Sequence, residues 1–282
     1  MSDLSERKDM SKSQSIEGRT VCVTGASSGF GRAISEHLGS LGAHVFMTGR
    51  TSEPMEESAS TIRKAGGKAD VAVFDLGNLE RLTEWVTSAA NTTGRLDVMV
   101  NNAGFGDVGT TIADGDPAMW RAMLEINVLA LAVGCQAAIR AMRATKSQGN
   151  IINISSVGAM RRDSGVYGAT KHAVNCINST LRKELEGDTI RTTSVMPGVF
   201  ATNFVRHIDG KMVEGVAAMA GIEKVAFDDQ RRLPQGQLDQ IQQAMPDSFG
   251  DVAHVARAVE YIITQPAEIN IEELIIRPPK GM

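Results

Sequence analysis

A chain of 282 residues with 42% hydrophobic and 22% charged side chains has the make-up of a soluble globular protein, long enough to bury a substantial core. Its formal charge of −4 gives neither nucleic acid nor an anionic membrane a reason to bind, and no apolar run reaches the roughly 18 residues of a membrane span. Cys22, Cys135 and Cys176 lie far apart inside apolar segments and the five histidines form no paired motif, so buried free thiols are expected and no disulfide framework or metal.

The first fifteen residues, MSDLSERKDMSKSQS, are polar, mixed in charge and without the apolar core of a secretion signal; they read as a loose tail on a cytoplasmic protein. RTVCVTG then opens a series of short β-branched runs, continued by AHVFMTG, ADVAVFD, LDVMVNN, NIINISS, TIRTTSV and EELIIRP. Apolar runs of this length suit strands covered on both faces, as in a parallel sheet. Segments with helical spacing separate them, among them GRAISEHLGSLG, LERLTEWVTSAANTTG, PAMWRAMLEINVLALAVGCQAAIRAMRA and YGATKHAVNCINSTLRKELEG. The alternation predicts an α/β fold of Rossmann type. Its doubly wound parallel sheet would have seven strands, with about seven helices over both faces, and fill residues 16–282 as one domain. Between PGVFATNF and FGDVAHVARAVEYI the rhythm lapses into a stretch rich in Met, Val, Ala and Gln. A structureless loop of that length is uncommon in a compact domain, so one or two short helices are expected, as a cover over an apolar pocket rather than as core.

TGASSGFG, residues 24–31, follows the first strand and opens the first helix, with glycines at Gly25, Gly29 and Gly31. Absent side chains permit a tight turn and let the backbone of Ser27, Ser28 and Phe30 approach a pyrophosphate at the positive end of a helix. A dinucleotide site for an unphosphorylated ribose usually ends its second strand on Asp or Glu, about 20 residues beyond the glycines. VFMTGRT instead places Gly49 there, with Arg50 next. A guanidinium with no competing carboxylate suits a 2′-phosphate, hence NADP over NAD; the plainer alternative is a solvated arginine paired with Glu53 or Glu56.

Only two tyrosines occur in the chain, and one of them, Tyr167, stands four residues before Lys171 in SGVYGATKH. On a helix the two share a face, which brings phenol and ammonium within reach of each other; an ordinary packed tyrosine beside a solvated lysine has the same spacing.

Taken together, these segments resemble the short-chain dehydrogenase/reductase family in its single-domain form, over nearly the whole chain beyond the tail. TGASSGFG matches the family's TGxxxGxG turn, and Asp75 with Leu76 match the acid that contacts adenine after the third strand. Asn102, Ala103 and Gly104 belong to an NNAG at 101–104, and Asn127 falls where the family keeps a catalytic asparagine. NISS at 153–156 ends the fifth strand, YGATK at 167–171 matches YxxxK, and Pro197, Gly198, Val199 and Thr202 lie in PGVFAT, matching PGxxxT.

The resemblance implies an NADP(H)-dependent oxidoreductase that interconverts a ketone and a secondary alcohol. Tyr167 would be the acid/base, its ordinary pKa near ~10 drawn toward working pH by Lys171 and by a positively charged nicotinamide. Lys171 would also hold the nicotinamide ribose, Ser156 the substrate oxygen, and Asn127 a water relay, with a helix-bend role open to the asparagine as well. Ser156 precedes Tyr167 by only 11 residues, about two fewer than the family's usual loop; Ser155 is its rival and Ser164 a distant third. The segment at about 200–250 would bind a medium or bulky, largely apolar substrate, and Arg161, Arg162 or Arg206 could meet a carboxylate. Two long helices, about 116–143 and 165–186, would build a homotetramer or homodimer. A cofactor-holding sensor would be expected to lose the Tyr/Lys pair, and an epimerase or dehydratase that retains its cofactor usually carries a larger C-terminal domain.

Overall fold

Each of the seven apolar runs forms a strand in the computed structural model, which describes residues 14–204, 210–228 and 232–280. They are β1 (Thr20–Thr24), β2 (His44–Gly49), β3 (Lys68–Val73), β4 (Val98–Asn101), β5 (Gly149–Ile154), β6 (Ile190–Pro197) and β7 (Glu273–Ile276). The sheet order is β3-β2-β1-β4-β5-β6-β7 and every pairing is parallel. The chain winds outward from β1 and then returns to the far side of it at β4. A crevice opens there beyond the strands' carboxyl ends, where doubly wound sheets bind ligands.

Alternate residues on each strand feed two cores, which is why the runs are apolar throughout. Val21, Val23, Val45 and Met47 pack against α1 (Gly29–Ser40), α2 (Ser52–Lys64) and α9 (Val252–Ile263) through Ile34, Leu38, Met55, Ile62 and Val259. Cys22, Phe46, Met99 and Ile151 face the other way, onto α3 (Leu79–Thr93), α5 (Leu131–Thr145) and α6 (Gly165–Glu184), where Trp85, Ala138 and Val174 meet them.

Nine helices are found among the described residues, against an expectation of about seven. The long helix is α4 (Pro117–Leu124) and α5 joined by a π-helical turn, Glu125–Ala130. As one run, Pro117–Thr145 is long and apolar enough to cross a membrane by length and composition, but 44% of its most apolar window is buried inside the fold. The insertion supplies α7 (Gly210–Met219) and α8 (Gln235–Ala244), as expected. Val213, Ala217, Leu238, Ile241 and Phe249 give them a small core of their own. Met212 and Met219 are exposed on it, so these methionines are not core.

Of the tail expected over the first fifteen residues, Gln14 and Ser15 lie among those described. The Gln14 backbone donates to Thr264 O at 2.7 Å and its side chain accepts from Arg19; the preceding residues lie outside those described. The expectation of three buried thiols is corrected. Cys22 and Cys135 are buried free thiols, whereas Cys176 is exposed, because it occupies the outer face of α6.

Candidate active site

The glycine turn is held from two sides. Gly25 has φ +66°, and a Cβ on it would meet Ala103 Cα at 2.8 Å; a Cβ on Gly31 would lie 2.3 Å from Gly25 O. Both positions therefore exclude side chains, the first by conformation and contact, the second by contact alone. Thr24 Oγ1 accepts from the backbone N–H of Asn102 and Ala103 at 3.0 and 3.1 Å, and Asn102 Nδ2 donates back to Thr24 O at 2.8 Å. That staple places the loop ending in Gly104 against the turn. Thr24 itself was not singled out from sequence, although it is the residue that precedes Gly25.

From the other side, Phe30 packs edge-on to Phe200 at 5.1 Å, and the Thr202 methyl lies 3.5 Å from where a Cβ of Gly29 would stand. The segment that begins at Pro197, Gly198 and Val199 thus closes over the turn. Ser28 makes no side-chain cap to α1 and the first turn carries no acid, so its backbone N–H groups remain free for an anion.

At the end of β2 a Cβ on the buried Gly49 would sit 3.2 Å from Met55 Sδ and 3.4 Å from Ser27 Oγ. Arg50 is exposed, and among the described residues no carboxylate pairs with it; Glu56 lies 3.9 Å from Arg63 instead. Asp75 stands two residues beyond β3, its carboxylate accepting from Gly77 N at 2.8 Å, with Leu76 buried beside it.

Tyr167 and Lys171 occupy the first turns of α6, on one face as the spacing requires. Lys171 is buried. Its Nζ donates to Ile154 O at 2.9 Å and lies 5.9 Å from the centre of the Tyr167 ring. Geometry separates the three serines. Ser155 is buried and donates to Lys171 O at 3.3 Å, tying β5 to α6. Ser156 Oγ accepts from Gly158 N at 3.0 Å, and a Cβ on Gly158 would stand 3.4 Å from that oxygen and 3.5 Å from Tyr167 Cε1, so serine and tyrosine flank one point. Ser164 sits before α6 against Gly168.

Asn127 is buried within the π-helical turn. Its Oδ1 accepts from Phe105 N at 3.0 Å, and its Nδ2 donates to Phe105 O at 2.7 Å and Thr170 Oγ1 at 3.1 Å. The side chain thus ties the π-helical turn to the Phe105 backbone and to α6. A Cβ on Gly104 would stand 3.0 Å from Asn127 Oδ1 and 3.4 Å from Lys171 Nζ, so the three residues surround one point. Sequence reasoning missed Phe204, whose ring lies 5.3 Å from that of Tyr167. It falls two residues beyond PGVFAT, where no motif marks it.

Without the nicotinamide, burial governs how Tyr167 and Lys171 titrate. Burial pushes the Tyr167 phenol up to about 12, with the Ser156 hydrogen bond opposing, and pushes Lys171 down to about 8. In the protein alone, desolvation sets the direction of both shifts. For Lys171 this has a stability consequence. Between about pH 8 and 10.5 the native amine is neutral while the unfolded one still binds its proton, so stability rises with pH across that window. Lys171→Met removes this contribution. Urea unfolding of the two proteins should show the wild type gaining up to about 3 kcal/mol relative to the variant from pH 8 to 10.5. A constant difference across that range would contradict the buried charge.

The sequence model of the family described as short chain dehydrogenase matches residues 19–212. The chain belongs to the short-chain dehydrogenase/reductase family. It is 28% identical over 266 residues to an uncharacterized oxidoreductase of Staphylococcus saprophyticus, covering 93% of this chain and 98% of that one. An uncharacterized oxidoreductase of Staphylococcus aureus is 30% identical over 265 residues, with the same coverage. A metagenomic short-chain oxidoreductase solved in complex with NADP is 29% identical, with a TM-score of 0.71 over 94% of this chain and 99% of that one. A short chain dehydrogenase from Burkholderia cenocepacia, also in complex with NADP, is 26% identical, with a TM-score of 0.74 over 94% and 98%.

Two of the arginines that could meet a carboxylate lie on the loop before α6 and differ in their pairing. Arg161 forms a two-bond ion pair with Asp163, at 2.9 Å for each bond, and Arg162 is exposed. Arg206 lies outside the described residues.

Proposed function

We propose that the chain is an NADP(H)-dependent oxidoreductase that interconverts a ketone and a secondary alcohol, with residues 16–282 acting as one catalytic domain in the cytoplasm. The observation that carries the reading is the meeting of Tyr167, Ser156 and Lys171 beyond the end of β5, with Gly104, from the loop after β4, against Lys171 Nζ. The NADP-bound relatives support the choice of cofactor.

The residues present fit the dinucleotide. Gly25, Ser27, Ser28, Gly29, Phe30 and Gly31 would hold its pyrophosphate, and Arg50 its 2′-phosphate. Asp75 and Leu76 would flank adenine, and Asn102, Ala103 and Gly104 the adjoining ribose. Pro197, Gly198, Val199 and Thr202 would border the nicotinamide. When bound, the cofactor supplies the hydride.

Tyr167 gives its proton to the substrate oxygen during reduction and takes it back during oxidation. A phenol held near 12 is fully protonated at neutral pH, which suits the donor's role. Ser156 already accepts from Gly158 N, so its own hydroxyl proton is available to the substrate oxygen as charge develops there. Lys171, fixed at Ile154 O, would hold the nicotinamide ribose and replenish the proton through the tyrosine. The Asn127 side chain is committed to Phe105 and Thr170, so its part in a relay falls to the backbone of the π-helical turn.

Val108, Ile112 and Met160 are exposed on the two loops that approach Tyr167 through Gly106 and Gly158, which favours an apolar substrate of medium or large size. The test is loss of NADPH absorbance at about 340 nm against a panel of hydrophobic ketones, with NADH alongside. Tight NADPH binding with no turnover of any ketone would favour the sensor reading.

Leu124 and Leu129 are exposed on the π-containing helix, which with α6 would form the faces of a homodimer or homotetramer. Light scattering should report a mass at least twice the 30.1 kDa of one chain; the single-chain mass at micromolar concentration would remove the oligomer.

A further inference from the structure

Beneath the site runs a chain of buried amides that the mechanism above does not use. Asn101, the last residue of β4, donates through Nδ2 to Asn153 Oδ1 on β5 at 2.9 Å. Asn153 Nδ2 donates to Asn178 Oδ1 on α6 at 3.1 Å. The same oxygen accepts from the Thr192 hydroxyl on β6, and Asn178 Nδ2 donates to Glu272 O, just before β7, at 3.4 Å. The amides run head to tail, each a donor to the next, and all four side chains are buried. Buried polar groups of this kind are costly unless paired, and a fully paired network specifies one arrangement of the elements it joins.

The elements joined are those that carry the site. Asn101 leads directly into the Asn102–Gly104 loop. Asn153 precedes Ile154, whose carbonyl receives Lys171 Nζ, and Ser155, whose hydroxyl bonds Lys171 O. Asn178 lies seven residues beyond Lys171, two turns along the same face of α6. A one-residue slip or rotation of α6 against β5 would break all of these bonds together, because one residue is about 1.5 Å of rise and 100° of turn.

We infer that Asn178 is a positioning residue, which through Asn153 and Thr192 sets the depth and rotation of α6 so that Lys171 meets Ile154 O and Tyr167 meets Ser156. The inference rests on the catalytic reading above, but its test does not need turnover. The chain has two tyrosines, and Tyr261 is exposed on α9, so ring-labelled tyrosine NMR of the cofactor-free protein resolves Tyr167. Asn178→Leu removes every bond to this side chain at similar volume. Its expected effect is a Tyr167 titration moved down by about one unit or more toward the ordinary ~10, as the phenol gains water. Turnover of an aryl ketone probe with NADPH should fall at least about tenfold while NADPH affinity stays within about threefold. Thr192→Val, which deletes one bond and little volume, should move the titration the same way by less, and it decides the matter if Asn178→Leu does not fold. Wild-type Tyr167 titration in the folded variants would overturn the inference. Retained turnover in Tyr167→Phe would instead sink the catalytic reading and leave the positioning result standing.

Discussion

Tyr167→Phe is expected to lower kcat by about 10²–10⁴-fold, the usual cost of removing a general acid, while NADPH binds nearly as before. The phenylalanine ring keeps the contact with Phe204 and the fit against Gly106, so the cavity is preserved and only the hydroxyl is lost. Lys171 cannot take over, since its amine is tied to Ile154 O and stands 5.9 Å from the ring centre. Steady-state rates and NADPH titration by fluorescence check both halves of the expectation. Activity above a few per cent of wild type would mean the proton comes from elsewhere.

Changing Arg50 should separate the two nicotinamide cofactors. A charge-assisted hydrogen bond to a phosphate is worth about 1.5–3 kcal/mol, so Arg50→Ala should weaken NADPH by about 10–150-fold and leave NADH within about twofold. Adding Gly49→Asp goes further, because it supplies the carboxylate that a ribose without phosphate prefers. The new Cβ would press on Met55 Sδ at 3.2 Å, a flexible thioether that can yield a few tenths of an ångström. The double variant should therefore prefer NADH outright. Equal losses for both cofactors in Arg50→Ala would show that the guanidinium is a solvated surface group.

Much of this was legible in sequence because it is local. A β-branched run, a glycine at a turn, or a Tyr and Lys four apart each carries its consequence within a few residues. The seven strands, the turn at 24–31 and the shared face of Tyr167 and Lys171 are of this kind. The π-helical turn at Asn127 was not legible, since one wider turn hardly disturbs an apolar period. The upward push of burial on the Tyr167 phenol was not legible either, because charge shows in sequence and burial does not. Ser155 and Ser156 could be told apart only once α6 was laid against β5. The amide chain joins residues separated by 52 and 25 positions, a distance no spacing rule reaches.

The separate apolar cluster under α7 and α8 bears on how such an enzyme acquires new substrates. Neither main core includes the residues of that cluster, and the sheet buries its own faces without them. Substitutions there change the packing of α7 and α8 and leave the two cores that flank the sheet as they are. On the function proposed above, a lineage can redraw the wall that meets the substrate while the hydride chemistry beneath it is inherited unchanged.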